Sequence, residues 1–174
     1  MGVRQIAVEA LDLVRVSSTI IRPGDTDAYV AKDSIAAVTT NNHFSWAIKG
    51  AQDLGQLSGV IKRVIFTQSG SVATELDARL HLFHTDVGED ADSVIITFTL
   101  AEMKTRIGIV NLPDGDGATG AIVMTLGTYQ DVTVDLPFAK LADNRTIFGV
   151  LEALNAFVPE ASEAFTIDLI IARY

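Results

Sequence analysis

The most regular pattern in the chain is the alternation of apolar and polar residues over residues 75–84. The sequence there reads ELDARLHLFH, so that even positions up to 82 are apolar, while odd positions up to 81 are charged or carry an imidazole. Because successive side chains of a β-strand point to opposite faces, this alternation predicts a strand with one buried face and one solvated face. Phe83 breaks the pattern, since it places an aromatic ring on the polar face.

The same kind of pattern recurs at turn-length intervals along the rest of the chain. Strand-like segments rich in β-branched and aromatic residues occupy residues 14–21, 44–48, 60–67, 107–110, 121–126, 131–136, 146–154 and 165–172. Many short strands at such intervals predict an all-β fold, either an antiparallel β-sandwich or a jelly-roll-like barrel. The short Gln68-Ser69-Gly70-Ser71 turn predicts that strands 60–67 and 75–84 form an antiparallel hairpin.

One short helix is predicted near Thr99–Thr105. Thr99-Leu100-Ala101-Glu102 matches the capping box, in which a hydroxyl caps the first turn and a glutamate reaches back to the cap. Gly108 follows only nine residues later, so we expect the helix to be short.

A single domain is the simplest interpretation of 174 residues of which 48% are hydrophobic. We expect that domain to cover residues 14–174, preceded by an N-terminal segment, residues 1–13. Within this segment, Gly2 to Val8 is either an ordinary first strand or an arm that adds to a neighbouring sheet, and the first option is slightly favoured. No signal-peptide pattern and no membrane-length apolar run is found, so we expect a protein made in the cytoplasm without a targeting segment, and no membrane contact.

Charge and cysteine content narrow the function classes. The formal net charge is −9 and the isoelectric point is about 4.6, which argues against nucleic-acid binding because neutralising phosphates requires a basic face. The chain contains no cysteine, so disulfides, thiolate metal sites and cysteine nucleophiles are excluded.

No catalytic or metal-binding constellation emerges from the remaining candidates. His81 and His84 are three residues apart on a predicted strand, point to opposite faces, and are expected at the surface or an edge, as is His43. The acidic residues of 86–92 are expected to be solvated rather than to bind a cation. We therefore predict no enzyme activity, no cofactor and no metal.

Three passages resemble a known group of proteins. They are Pro23-Gly24-Asp25-Thr26-Asp27-Ala28-Tyr29, Ala78-Arg79-Leu80-His81-Leu82-Phe83, and the ending that contains Ile147-Phe148-Gly149-Val150-Leu151 and Phe165-Thr166-Ile167. They resemble accessory head proteins of tailed bacteriophages, the decoration or cement proteins of the capsid exterior. The resemblance spans about residues 14–173 and implies a virion structural protein whose partner is the major capsid protein. It also implies self-association, with a trimer favoured, and brings no catalytic residue.

Five apolar residues are the candidates for contacts with other chains: Phe83, Trp46, Phe44, Val3 and Ile6. The alternative function is a carbohydrate- or receptor-binding β-domain on the virion surface. In that case Phe44, Trp46, Tyr129 and the acidic loops would form the site, although burial of such aromatic rings in a core or interface is commoner than sugar stacking.

Overall fold

The computed structural model describes residues 12–24, 26–37, 43–48, 58–69, 76–88, 91–112, 122–124, 127–139 and 145–173. In chain order, their elements are β1 (Asp12–Ile21), β2 (Ser34–Ile35), β3 (Phe44–Ala47), β4 (Gly59–Gln68), β5 (Ala78–Phe83), α1 (Leu100–Met103), β6 (Arg106–Leu112), β7 (Ile122–Met124), β8 (Gly127–Phe138), β9 (Thr146–Ala153) and β10 (Ala164–Arg173). β1 thus begins two residues before the expected domain start at residue 14. The rest of the expected N-terminal segment lies outside the described residues.

Two antiparallel sheets contain all of these strands. The first sheet has the order β1-β10-β4-β8-β7, and the second has the order β2-β9-β5-β6, with β3 also paired to β9. No pairing joins the two sheets among the described strands, so the all-β prediction is confirmed and the architecture is a sandwich.

The core lies between the two sheets and follows the predicted alternation. On β10, Phe165, Ile167, Leu169 and Ile171 all point inward and are fully buried. Leu80 and Leu82 of β5 face them from the second sheet. Apolar side chains on alternate positions of both sheets therefore fill the space between them, as expected for aligned sheet packing.

The predicted helix is present with the predicted cap. The side chain of Thr99 accepts a hydrogen bond from the backbone nitrogen of Glu102, and the Glu102 carboxylate accepts one from the backbone nitrogen of Thr99. These two bonds satisfy donors that the first turn leaves unpaired.

The predicted hairpin between residues 60–67 and 75–84 is wrong. β4 lies in the first sheet between β10 and β8, whereas β5 lies in the second sheet between β9 and β6. The chain therefore crosses from one sheet to the other between these two strands. Neither strand pairs with the other, and each pairs with strands that lie farther along the chain. Turn residues indicate that the chain reverses, but they do not indicate in which sheet the next strand lies.

The outer face of the second sheet is covered by the chain that follows β5. Phe83 is fully buried and forms a second apolar cluster with Val87 and Val150, against which Phe98 also packs. The rings of Phe83 and Phe98 have centroids 5.1 Å apart. The aromatic ring on the polar face of β5 is therefore covered by another element of the same chain.

His81 lies under the same cover, which corrects the prediction of a surface histidine. It is only 6% exposed, its Nε2 lies 2.7 Å from Oε2 of Glu152, and its ring centroid lies 5.0 Å from that of Phe98. Burial lowers the pKa of His81, while the hydrogen bond and charge of Glu152 oppose that shift, and the charges of Arg79 and Arg106 add to it.

Candidate functional site: the groove between β1 and β3

The edges of the two sheets meet along one side of the sandwich. β1 is the edge strand of the first sheet, and β3 borders the second sheet through its pairing with β9. The backbone nitrogen of Ser45 on β3 donates a 3.1 Å hydrogen bond to the hydroxyl oxygen of Ser18 on β1. This contact joins the two strands near the C-terminal half of β1.

A groove of about 400 Å³ lies beside the N-terminal half of β1. Its walls are formed by six residues of the two edge strands: Val14, Arg15, Val16, Ser17, Ser45 and Ala47. The lining combines small apolar groups with hydroxyls and one guanidinium.

One charged group of the groove is held in place by the first sheet. Arg15 forms an ion pair with Asp168, whose side chain is almost fully buried on β10, while the Arg15 side chain itself remains about two-thirds exposed. The pair fixes the guanidinium at the groove wall, and its contribution to stability is modest because Arg15 is solvated.

Exposed apolar side chains flank the groove strand at both ends. Leu13 is 61% exposed and Ile21 is 57% exposed, and both lie on the outward-facing positions of β1. Among the described residues, β1 pairs with β10 on one side, and Ser45 of β3 contacts it on the other.

A smaller cavity of about 70 Å³ adjoins the groove and is lined by His43, Ser45, Asp86 and Phe148. These residue types occur in hydrolytic triads, but Nε2 of His43 donates to the carbonyl oxygen of Gly88. That nitrogen therefore holds a backbone contact and does not act as a general base toward Ser45. The cavity lies between His43, which precedes β3, and Asp86, which follows β5.

Phe44 and Trp46 are core residues, which corrects their assignment to an interface or a sugar-stacking surface. They are 0% and 1% exposed, and their rings stack with centroids 5.6 Å apart. Phe83 is likewise buried within the domain, so none of these three rings presents a surface to a partner. Val3 and Ile6 lie outside the described residues, and the structure does not describe the side chain of Tyr129.

A second exposed apolar surface was not predicted from the sequence. Val30, Val94, Ile95 and Val158 are each about half exposed. They lie on three segments joined by backbone hydrogen bonds, including those from Ser34 to Val94 and from Tyr29 to Phe157. We call these four residues the apolar patch. A cluster of exposed apolar side chains typically marks an interaction surface.

The apolar patch is held in shape by a buried polar cluster. The Nε of Arg22 donates to the hydroxyl of Tyr29 over 2.7 Å, and the same hydroxyl donates to Asp92 over 2.6 Å. Asp92 also accepts from the guanidinium of Arg22 and from the backbone nitrogen of Ala36. Burial raises the pKa of Tyr29 above its ordinary value, and the hydrogen bond and charge of Asp92 add to this shift.

This cluster corrects the expectation that the acidic residues of 86–92 are uniformly solvated, because Asp92 is a nearly buried acceptor. The described residues contain no group of three or more histidine, aspartate and glutamate side chains able to hold a metal ion. Nor does any helix in the described part of the chain have the length and apolar character needed to cross a membrane.

Comparisons with known proteins do not assign the chain to a family. No protein-family model and no curated protein matches the chain. Among solved structures, the carbohydrate-binding module CBM27-1 of Caldicellulosiruptor saccharolyticus, in complex with mannohexaose, aligns with 94% of this chain and 97% of its own. The TM-score is 0.38 and the sequence identity is 9%, so nothing about a ligand follows from this alignment.

Proposed function

We propose that the protein is a non-catalytic virion structural protein, a capsid decoration protein that binds the assembled shell of major capsid protein from the outside. The observation that carries the proposal is the apolar patch, whose four hydrophobic side chains are each about half exposed on segments joined by backbone hydrogen bonds. Clusters of exposed apolar side chains on a folded domain often mark a protein–protein interaction site. The sequence passages that resemble accessory head proteins supply the identity of that partner.

The charge of the chain fits the same function. A net charge of −9 keeps the free domain soluble and discourages premature association before the shell is assembled. Binding through an apolar patch then supplies contact area that does not depend on opposite charge, since apolar burial is the main favourable term in most protein association.

The experiment uses capsid shells of the phage that encodes the chain, assembled without this protein. We expect the purified protein to co-sediment with these shells and expect V94D/I95D to reduce binding at least tenfold. Leu100→Asp is the control, because Leu100 is an apolar residue that is 74% exposed at the start of α1 and is not one of the four patch residues. Absence of the protein from purified virions, with unchanged heat stability of particles lacking its gene, contradicts the proposal.

A carbohydrate- or receptor-binding domain is the second candidate, favoured by the groove and its hydroxyl and guanidinium groups. Because Phe44 and Trp46 are buried, a sugar would have to be held by hydrogen bonds from Arg15, Ser17 and Ser45. A glycan array supports this candidate if it gives a signal that S17A/S45A abolishes. An array without any signal leaves shell binding as the function to test.

A further inference from the structure

A short segment that carries Phe98 closes the outer face of the second sheet. We call residues 97–104 the lid. The backbone nitrogen of Met103 donates to the carbonyl oxygen of Thr99 over 3.0 Å, next to the capping box that Thr99 forms with Glu102. The four residues of α1 are all at least partly exposed. The lid is therefore a small unit with its own hydrogen bonds, and the ring of Phe98 brings it into contact with the sheet.

Backbone hydrogen bonds attach both ends of the lid to the rest of the domain. Before the lid, the nitrogen of Ile96 donates to the carbonyl oxygen of Lys32 over 3.0 Å. After the lid, the nitrogen of His84 donates to the carbonyl oxygen of Thr105 over 2.9 Å. An opening motion of the segment between these two points leaves both ends attached. Local openings of this kind require less free energy than unfolding of the whole domain.

The lid covers the second apolar cluster, which is separate from the core between the sheets. Phe83 and Val150 are buried in this cluster, and Phe148 and Phe98 pack against it. The cluster contains far fewer buried side chains than the core does. Fewer apolar contacts therefore hold the lid closed than hold the two sheets together.

A histidine lies under the same ring, among groups that disfavour a further positive charge. The rings of His81 and Phe98 have centroids 5.0 Å apart, and Nε2 of His81 lies 2.7 Å from Oε2 of Glu152. The same carboxylate oxygen lies 3.5 Å from Nη1 of Arg79. Arg106 on β6 adds a second positive charge that acts on His81. A proton on the imidazole would thus add a third positive charge around one carboxylate, beneath an aromatic cover.

The closed lid therefore favours the neutral imidazole. Burial is the largest cause of the lowered pKa of His81, and the charges of Arg79 and Arg106 act in the same direction, against the hydrogen bond and charge of Glu152. Moving Phe98 away from the sheet admits water to the imidazole and removes this burial. A group whose pKa is lower in the closed form binds its proton more tightly in the open form, so acid favours opening.

We propose that the lid is an acid-sensitive cover, which opens locally when His81 is protonated and exposes the second apolar cluster on the outer face of the second sheet. Histidine suits this role because it changes charge under mildly acidic conditions. Opening would uncover Phe83, Phe148 and Val150 together, and so create a new apolar surface. The proposal does not depend on shell binding, because it concerns the isolated domain.

Labelling of an engineered thiol measures lid opening, since the chain has no cysteine of its own. Val150→Cys places the thiol in the second apolar cluster, and Val64→Cys, in the core between the sheets, is the matched control. The probe is dithiodipyridine, which reacts with thiols in acid, and each rate is divided by that of a cysteine peptide at the same pH. We expect Val150→Cys to react at least tenfold faster than Val64→Cys.

Low concentrations of urea separate local from global opening. The rate for Val150→Cys should change little with urea, because lifting the lid exposes little surface. The rate for Val64→Cys should rise steeply, because that thiol becomes accessible only when the sheets separate. Far-UV circular dichroism verifies that each variant is folded.

The pH dependence of labelling identifies the controlling group. Between pH 7.5 and 5.5 the corrected rate for Val150→Cys should rise by up to about tenfold, since pH 5.5 is about one unit below the ordinary pKa of histidine. Adding His81→Gln should abolish the rise, whereas adding His84→Gln should preserve it. Adding Phe98→Ala uncovers His81 at both pH values, so labelling should be fast at both and depend little on pH.

Three outcomes overturn the proposal. Equal rates and equal urea dependence for the two thiols show that only global unfolding exposes the cluster. A rise of less than twofold in Val150→Cys shows that acid does not open the lid. A rise that persists with His81→Gln, or that disappears with His84→Gln, shows that another group controls the opening.

Discussion

The indole nitrogen of Trp46 on β3 donates a 2.9 Å hydrogen bond to the carbonyl oxygen of Ile167 on β10, so that one side chain links the two sheets through the core. Because the donor and the acceptor are both buried, water cannot replace either partner. The bond lies directly behind the groove wall, and it therefore ties the position of β3 to that of the first sheet.

Trp46→Phe is expected to destabilise the fold. Loss of this buried hydrogen bond costs about 1 kcal/mol, and the lost ring contacts add to that. The free energy of unfolding is measured by urea denaturation with far-UV circular dichroism, since Trp46 is the sole tryptophan and the fluorescence probe disappears with it. Phe44→Leu, which shortens the neighbouring ring without removing a hydrogen bond, serves as control and is expected to cost about 1 kcal/mol. Equal costs for both variants would mean that the bond contributes nothing.

Gly149 on β9 is expected to tolerate no side chain, because it lies against the same indole. A β-carbon at this position would lie 2.6 Å from Cη2 and Cζ3 of Trp46 and 3.1 Å from Cδ1 of Leu80. The buried indole cannot move aside without repacking, so Gly149→Ala should cost about 1–3 kcal/mol. Gly24→Ala is the matched control, since its β-carbon meets only the Ser162 hydroxyl at 3.6 Å. Thermal denaturation of the two variants tests the difference, and similar midpoints would contradict it.

The alternation along β5 and β10 was sufficient to predict strands, the all-β fold and most of the core. The local sequence also predicts α1, because its capping box is formed by Thr99 and Glu102, which are only three residues apart. The pairing of β4 and β5 was wrong because sheet membership depends on contacts that are far apart in sequence. Local patterns carry no information about those contacts.

The burial of individual side chains is harder to predict from the sequence, for a related reason. The sequence predicts Phe44, Trp46 and Phe83 at an interface because it shows an aromatic ring but not the element that covers it. Phe98, which covers Phe83, is fifteen residues away and lies in a segment without regular structure. Asp92 likewise resembles its acidic neighbours in sequence, and only the fold brings Arg22 and Tyr29 to it.

Asp92→Asn is expected to weaken the structure that supports the apolar patch. It replaces a carboxylate that neutralises the fully buried side chain of Arg22 and accepts a hydrogen bond from the Tyr29 hydroxyl. Removing one partner of a buried ion pair typically costs about 3–5 kcal/mol. Asp135→Asn is the control, because the Lys62–Asp135 pair is solvated and should contribute about 1 kcal/mol or less. Urea denaturation measures both, and a cost for Asp92→Asn no larger than the control would show that Asp92 does not stabilise the cluster.

The stability of the domain is expected to fall on mild acidification because of His81. Burial lowers the pKa of His81 in the folded state below the value of about 6.5 in the unfolded chain. As the pH falls through 6.5, the unfolded chain therefore binds a proton that the folded chain does not, and the free energy of unfolding decreases until the folded-state pKa is reached. Burial also lowers the pKa of His84, so both histidines act in the same direction.

Chemical denaturation at pH 7.5, 6.5, 5.5 and 5.0 measures the slope of the unfolding free energy against pH for the wild type, His81→Gln and His84→Gln. The slope should decrease most in His81→Gln, whose side chain is the more deeply buried and contacts Glu152 and Phe98. A slope that is unchanged by His81→Gln would show that other groups cause the pH dependence.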